Sequence, residues 1–280
     1  MNIDIVLCSV DFSGIAAREV QLAVQICEQF NAQLILHHNL SAIAPGFAKA
    51  WEWDQSHRKD ERSAIDAERR MKALLAELPK SIRAEATITH GPVAMVLLAL
   101  AKQLPADLLV LGTHGWSTAD HASVTERIIE CAPCPVLTVH DLDAVRAFRL
   151  GPGADGSAAR VLVPTDFSPA ATKAVDYAIE LARKRPIELH LVHVAPGPPT
   201  DDAINALVNS VPAELKHRAQ VHFRTGRPLD EIDAVLQEVA PELIIMGTHA
   251  RTFWRRLFTR DTARRMLHGA NCPVLFVPPA

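Results

Sequence analysis

The amino-acid sequence predicts an α/β protein in which one parallel-sheet domain occurs twice. Three segments recur in the same order: VLCSVDFS at 6–13 as VLVPTDFS at 161–168, LVLGTH at 109–114 as IIMGTH at 244–249, and CPVL at 134–137 as CPVL at 272–275. This repeat is longer than the roughly 20–50 residues of solenoid units, so each copy is expected to have its own core. Within each copy, short apolar runs alternate with segments of helical periodicity, as in parallel strands joined by helices.

The first copy is predicted to contain five strands. The mainly apolar run Ile3–Val10 is typical of a strand buried on both faces of a parallel sheet. Ser13 can cap a helix whose apolar residues follow the 3.6-residue period. The remaining strands are predicted at Gln33–His38, Glu85–Thr89, Asp107–Leu111 and Val136–Val139, with helices at about Trp51–Leu78, from Gly91 to Gln103, and at about Ser123–Glu130.

The second copy repeats this order of elements. Its strands are predicted at Arg160–Pro164, Glu188–Val194, Gln220–Arg224, Leu243–Met246 and Val274–Val277. Its helices are predicted at Ala171–Arg183, from Asp201 onward, at Leu229–Val239 and at Thr262–His268. A stretch rich in glycine divides the copies, so the predicted domains are residues 1–148 and 158–280, with a linker at 149–157.

Composition argues against several classes of protein. The net charge of −3 provides no global basic field for nucleic acid, which makes a nucleic-acid partner an unfavoured interpretation. The most apolar stretch, around Val93–Ala101, is much shorter than the roughly 20 residues of a membrane span. The sequence from Met1 to Asp4 lacks the features of a secretory signal, and the 5 cysteines show no disulfide-scaffold spacing. A reducing cytoplasm is therefore the expected location.

Four sequence features together resemble the universal stress protein family in its tandem two-domain form. They are Asp-Phe-Ser after the first strand, a strand ending in His193-Val194-Ala195, Gly-Thr-His after the fourth strand, and Pro-Val after a cysteine near the end of each copy. The resemblance implies two tandem five-stranded parallel-sheet domains of the Rossmann-like, adenine nucleotide alpha hydrolase-like type. It also implies that the domains pair through their last strands, here within one polypeptide. The expected function is a non-enzymatic binding or signalling role in stress responses.

The resemblance further implies an ATP site at the carboxyl ends of the strands, where open α/β sheets bind ligands. The family's loop has two glycines separated by two residues, then nine residues, then Gly-Ser or Gly-Thr. Glycines let backbone N–H groups approach phosphate, and a helix N-terminus favours its negative charge. The residues that correspond to such a site are Asp11, Asn39, Gly112, His114, Gly115 and Ser123 in the first copy, and Asp166, Val194 and Gly247 in the second.

The phosphate loops of the two copies have diverged in different ways. The first copy keeps Gly112 and Gly115 but has Thr125 where the motif expects glycine. From Gly112 to Cys134 there are 22 positions, against 25 in the second copy, so this loop is shortened and Ser123 takes the Gly-Ser position.

The second copy keeps the spacing of the loop and changes its residues. Ala250 replaces the second glycine, and Arg260-Asp261 replaces Gly-Ser. The Asp261 carboxylate would repel phosphate. The sequence therefore predicts degenerate loops and leaves the cofactor open, with ATP in the first copy as the alternative.

Three functions remain open from the sequence. The favoured one is the non-enzymatic module, because no catalytic set of residues is visible. The second is an ATP-binding, slowly hydrolysing protein that uses Asp11, Gly112, Gly115 and Ser123. The third is an anion or nucleic-acid binder that uses the basic, aromatic loop Arg251–Arg260. A homodimer and an adenine-nucleotide partner are open alternatives, and no metal ligand set is predicted.

Cys131-Ala132-Pro133-Cys134 has the spacing of a thioredoxin-type redox motif. A reactive first thiol needs a helix N-terminus, which lowers its pKa. Cys131 instead follows a predicted helix, so we interpret Cys134 as a packing residue and Cys131 as incidental.

Overall fold

The computed structural model describes residues 2–12, 17–40, 50–112, 119–139, 145, 148–153, 155–248 and 272–279. For residues 17, 50–62 and 119–123 it describes the backbone alone. The chain divides into two compact units, Asn2–Ile128 and Ile129–Ala280.

The unit Asn2–Ile128 is a parallel sheet with helices. Its strands are β1 (Ile5–Ser9), β2 (Gln33–Leu40), β3 (Arg83–His90) and β4 (Leu108–Gly112), and its helices are α1 (Ala17–Phe30), α2 (Ala50–Glu77), α3 (Val93–Gln103) and the first residues of α4 (Ala119–Cys131). The strand order is β3-β2-β1-β4, and the pairs β1–β2, β1–β4 and β2–β3 are parallel. Val6, Leu7 and Cys8 of β1 are fully buried, as expected for a strand covered on both faces.

The unit Ile129–Ala280 holds the last strand of the first copy and the whole second copy. Its strands are β5 (Val136–Val139), β6 (Ala159–Pro164), β7 (Ile187–Ala195), β8 (Ala219–Thr225), β9 (Leu243–Gly247) and β10 (Val274–Val277). Its helices are α5 (Pro169–Lys184), α6 (Asp201–Ser210), α7 (Pro228–Val239) and a short 3-10 helix (Ala213–Arg218). Ser168 caps α5, because its side chain accepts a hydrogen bond from the Ala171 backbone N–H at 3.2 Å.

The last strands of the two copies pair with each other, as the resemblance implies. The order in this unit is β5-β10-β9-β6-β7-β8. The β5–β10 pair is antiparallel, with Leu137 opposite Leu275, whereas the other described pairs are parallel. The Thr138 hydroxyl also donates to the Val274 carbonyl at 3.3 Å. The predicted fold class and the pairing within one polypeptide are therefore confirmed.

The predicted strands agree with the structure to within a few residues, and Val136–Val139 and Val274–Val277 agree in full. One helix differs: α4 begins at Ala119 rather than near Ser123, so Ser123 lies one turn past its start. The predicted helix Thr262–His268 and the loop Arg251–Arg260 lie outside the described residues.

Each copy fastens the start of its first strand with a carboxylate. In the first copy, one Asp107 oxygen accepts hydrogen bonds from the backbone N–H groups of Asp4 at 2.8 Å and Ile5 at 2.9 Å. In the second copy, Glu242 accepts from the Arg160 N–H at 2.7 Å. The Asp107 and Glu242 N–H groups in turn donate to the carbonyls of Ile5 and Arg160. We call this arrangement the carboxylate clamp.

Arg149 organises the predicted linker. Its guanidinium donates to the Gly151 carbonyl at 3.1 Å and to the Ser157 carbonyl at 2.7 Å, and it pairs with Glu242 at 2.9 Å. The Gly153 N–H also donates to the Ser157 carbonyl. The segment thus forms a turn around Arg149, while the domain boundaries at 148 and 158 stay predictions.

Candidate functional site

The first copy contains a cavity of about 390 Å³ at the carboxyl ends of β1, β2 and β4. In the order β3-β2-β1-β4, this place between β1 and β4 is where the sheet reverses its winding, and open α/β sheets bind ligands there. The lining is mixed. The polar residues are Ser9, Asp11, Glu19, His38, Asn39 and Thr125, the apolar ones include Val93, Leu97, Val124 and Ile128, and Gly112 is the end of β4 beside them.

Glu19 is the main electrostatic feature of this cavity. It projects from α1, and only 3% of the residue is exposed. Its Oε2 accepts no hydrogen bond from the part of the chain that the structure describes. Burial raises the pKa of Glu19 to about 7, with a further rise from the negative charge of Asp11, while a backbone hydrogen bond and Arg18 oppose the rise.

The Glu19 carboxyl packs directly on Gly112. A Cβ atom at position 112 would lie 1.6 Å from Oε1 of Glu19 and 2.5 Å from its Cδ. No side chain fits at Gly112 while Glu19 holds this position. The carboxyl therefore lies where the first glycine of a phosphate loop would be approached by a ligand.

A partly buried hydrogen-bond network holds Asn39. Its Nδ2 donates to the Gly91 carbonyl at 2.9 Å, and its Oδ1 accepts from the Thr89 hydroxyl at 2.9 Å. Since that hydroxyl donates to Asn39, it accepts from Nε2 of the fully buried His37 at 2.7 Å. Burial, assisted by the neighbouring His38, lowers the pKa of His37 to about 4. The imidazole is thus neutral at pH 7, and both ends of the Asn39 amide are engaged within the protein.

His38 is held by a contact that both copies share. Its Nδ1 lies 2.7 Å from the Val10 carbonyl, so Nδ1 carries the proton and Nε2 is the acceptor nitrogen. The Phe12 ring packs on the imidazole at 4.3 Å, from a backbone with φ of 57°. In the second copy, His193 makes the same contact with the Thr165 carbonyl at 2.9 Å, and the Phe167 ring packs on it at 4.5 Å.

The described residues at the equivalent place in the second copy enclose a much smaller cavity. This cavity measures only about 40 Å³. Asp166 accepts a hydrogen bond from the Ser168 N–H at 3.1 Å, which directs this carboxylate to its own turn. A Cβ atom at Gly247 would lie 2.0 Å from the Ala170 carbonyl oxygen, so the start of α5 lies against the end of β9. Ala174, fully buried, occupies the position that corresponds to Glu19.

Comparison with known proteins assigns the chain to a family. The model of the universal stress protein family matches residues 2–140 and again residues 158–278. The chain belongs to the universal stress protein family. Two matched segments across one polypeptide make it a tandem member, as the sequence motifs indicated.

Relatives of this tandem universal stress protein extend over its full length. A universal stress protein of Mycolicibacterium smegmatis is 23% identical over 297 residues, which cover 98% of this chain and 97% of that protein. One from Methanocaldococcus jannaschii is 25% identical over 137 residues, 42% of this chain and 81% of that protein. The crystal structure of a universal stress protein from Archaeoglobus fulgidus covers 100% of this chain and 97% of its own, at 18% identity and a TM-score of 0.73. At that identity the structural likeness supports the fold alone.

The structure brings most of the predicted site residues of this universal stress protein to the two cavities. Asp11, Asn39 and Gly112 line the first cavity, and Asp166, Val194 and Gly247 line the second. His114 and Gly115 lie outside the described residues. Ser123 is described by its backbone alone, in the second turn of α4.

Glu19 is a site residue that the sequence reasoning missed. It lies three residues from Ala16 and four from Ala23, on the apolar face of α1, where a charged side chain is unexpected. Ala174 occupies the same position in the second copy. That exception to the apolar stripe, seen against the other copy, was the available signal.

None of the five cysteines forms a disulfide, and Cys131 alone among them is exposed. It is the last residue of α4 and therefore does not lie at a helix N-terminus. Burial, with a contribution from Glu242, raises the pKa of Cys272 to about 12.

Within the described ranges, no group of three or more His, Cys, Asp or Glu side chains is placed to hold a metal ion. No helix among the described residues is long and apolar enough to span a membrane.

Proposed function

We propose that this tandem universal stress protein is a non-enzymatic binding module that takes one adenine-type ligand in its first copy, with the second copy as a scaffold. The observation that carries the proposal is the difference between two equivalent cavities, about 390 Å³ against about 40 Å³. Ligand pockets in proteins have volumes of roughly 300–1,000 Å³. The first cavity reaches that range and the second does not.

The chemistry of the first cavity suits a nucleoside. Val93, Leu97 and Ile128 form an apolar wall for a flat base. Asp11 and the acceptor Nε2 of His38 offer partners for hydroxyl and amino groups. The family resemblance implies the same role for Asp11 on the ribose side. Degenerate phosphate loops belong to this proposal, since Ser123 lies one turn past the start of α4.

Slow ATP hydrolysis at the same cavity is the second candidate function. The observation that favours it is a second carboxyl beside Asp11, because Glu19 with a pKa of about 7 could exchange a proton near neutral pH. Release of inorganic phosphate from ATP distinguishes the two candidates. The hydrolase needs release that is lost in Glu19→Gln, whereas the binding module shows none above the buffer rate.

The proposal includes a reducing cytoplasm as the location and a role in stress responses. The lack of disulfides among the five cysteines supports the location. Self-association into a homodimer stays a sequence-level prediction, checked by analytical ultracentrifugation. Binding through Arg251–Arg260 also stays a prediction, because that loop lies outside the described residues.

Calorimetric titration with adenosine and AMP tests the proposed site, together with mass spectrometry of small molecules released on denaturation. Asp11→Asn should weaken binding about tenfold, since a charged hydrogen-bond partner is lost. Asp166→Asn is the matched control in the second copy and should leave affinity unchanged. No binding by the wild type, or a loss confined to Asp166→Asn, would overturn the proposal.

A further inference from the structure

Glu19 is a buried acid that the fold itself does not require. The second copy builds the same helix with Ala174 at this position, fully buried. Burying a carboxyl without a hydrogen-bond partner for one of its oxygens destabilises a protein. A costly group that lines a cavity and is absent from the other copy indicates a role toward a ligand.

The position of the carboxyl identifies the part of a ligand that it would meet. Oε1 of Glu19 lies over Gly112, where the phosphate loop of the fold begins. Oε2 is buried and has no hydrogen-bond partner among the described residues, and Glu19 lines the cavity. A phosphate that approached the end of β4 would therefore come close to this carboxyl, with Asp11 as a second acidic residue that lines the same cavity.

We propose that Glu19 selects the ligand of the first cavity by charge, admitting an uncharged nucleoside or one with a hydrogen-bond-donating or cationic group, and rejecting phosphorylated nucleotides. This inference rests on the proposed function, because it concerns the same cavity. Two negative groups repel strongly where water is excluded, and discrimination here comes from the repulsive element. The unpartnered oxygen in turn gives a hydroxyl, amino or ammonium group a place to donate.

The groups that face Glu19 decide when the selection operates. Asp11 at the end of β1 disfavours its ionised form, and Arg18 on α1 favours it. The negative charge of Glu19 contributes to the raised pKa of Cys8 on β1, and His38 of β2 also lines the cavity. Since the pKa of Glu19 is about 7, the carboxyl is mostly ionised at pH 8 and mostly protonated at pH 6. Selection against phosphate should be strong at pH 8 and relaxed at pH 6.

A charge series of adenine compounds tests the inference. Adenosine, cyclic AMP, AMP and ATP are titrated calorimetrically into the wild type, Glu19→Gln and Glu19→Ala at pH 8 and pH 6. At pH 8 the wild type should bind adenosine at least about tenfold more tightly than AMP, and ATP more weakly still. Glu19→Gln should reduce the adenosine-to-AMP ratio by about tenfold, and pH 6 should reduce it in the wild type but not in the variant.

Two further variants isolate the effect. Glu68→Gln removes one exposed acid from α2 and should leave the ratio unchanged. Glu19→Ala copies Ala174, the residue at the equivalent position of the second copy's helix α5, so it should fold and behave like Glu19→Gln. Equal affinity for adenosine and ATP in the wild type, or an unchanged ratio in both Glu19 variants, overturns the selection while the binding function stands. Absence of binding by any compound to any variant overturns the proposed function itself.

Discussion

The carboxyl of Glu19 occupies the volume that a side chain at position 112 would need, so Glu19 and Gly112 are sterically coupled. The matching glycine of the second copy, Gly247, is coupled instead to the backbone carbonyl of Ala170. The two glycines are thus required for different reasons. One faces a side chain that can be removed, and the other faces main chain that cannot.

This difference predicts which glycine variant can be rescued. Gly112→Ala should lower the free energy of unfolding by about 1–3 kcal/mol, because overpacking forces Glu19 aside. Adding Glu19→Ala should recover most of that loss. Urea denaturation of the single and double variants measures the coupling energy.

Gly247→Ala provides the contrast, since its Cβ would lie 2.0 Å from the Ala170 oxygen. Gly247→Ala should lower the free energy of unfolding more than Gly112→Ala does. Adding Ala170→Gly should not restore stability, because the backbone oxygen of residue 170 remains. Additive effects of Gly112→Ala and Glu19→Ala would contradict the coupling.

Glu19 also predicts how stability changes with pH. Folding raises its pKa from 4.5 to about 7, so the folded chain holds this proton more tightly than the unfolded chain. The contribution of protonated Glu19 to the free energy of unfolding is therefore complete below about pH 4.5 and is lost as the pH rises through 7. Relative to the wild type, Glu19→Gln should gain up to about 3 kcal/mol between pH 5 and pH 8.

The measurement is the difference in unfolding free energy between variant and wild type at several pH values. The buried His37 acts in the opposite direction, because its lowered pKa of about 4 makes its contribution present above 6.5 and lost as the pH falls through 4. Taking the difference at each pH cancels the His37 contribution. Glu68→Gln controls for the loss of one charge, and a pH-independent difference for Glu19→Gln would contradict the burial of a weak acid.

Replacing Thr89 should lower the free energy of unfolding through lost hydrogen bonds rather than through lost volume. Thr89→Val keeps the side-chain shape but removes the acceptor for His37 and the donor to Asn39. Leaving buried polar groups unpaired should destabilise the protein by about 1–3 kcal/mol. Thr225→Val, at an exposed side chain near the end of β8, is the control and should cost less than about 1 kcal/mol. Similar losses in both variants would contradict the network.

Thiol accessibility is predicted to differ sharply among the cysteines. A maleimide probe should label the native protein once, at Cys131, and should not label Cys131→Ser. Cys8, Cys27, Cys134 and Cys272 are buried and should react only after denaturation. Mass spectrometry of the labelled protein counts the modified thiols. Rapid labelling of Cys134 would show that the end of α4 opens.

Much of the fold could be predicted because a strand that is buried on both faces of a sheet is a run of mainly apolar residues, which is visible in the sequence. Val274–Val277 is wholly apolar and Val136–Val139 is apolar except for Thr138, and the predicted bounds of both strands match the structure. The helix α4 begins at Ala119, four residues before the predicted start near Ser123. A helix can begin before such a residue when the preceding backbone already adopts helical angles.

The site was harder to predict, because its volume depends on how closely a helix approaches the end of a strand. The equivalent positions Gly112 and Gly247 look alike in sequence, yet one lies under a carboxyl and the other under a main-chain carbonyl. Residue spacing does not encode that approach. Glu19 escaped notice because a periodicity argument treats one charged residue on an apolar face as an exception.

The carboxylate clamp is common to both copies, whereas Glu19 is not. Asp107 and Glu242 hold the first strand of their copies through the same pair of main-chain contacts, although the residues differ. An arrangement shared by both copies is most simply inherited from a single-domain ancestor, which already needed its first strand secured. Glu19 has Ala174 as its counterpart, so the two copies diverged at this position. The shared clamp maintains each sheet, and the divergent position lies at the cavity in which the two halves differ.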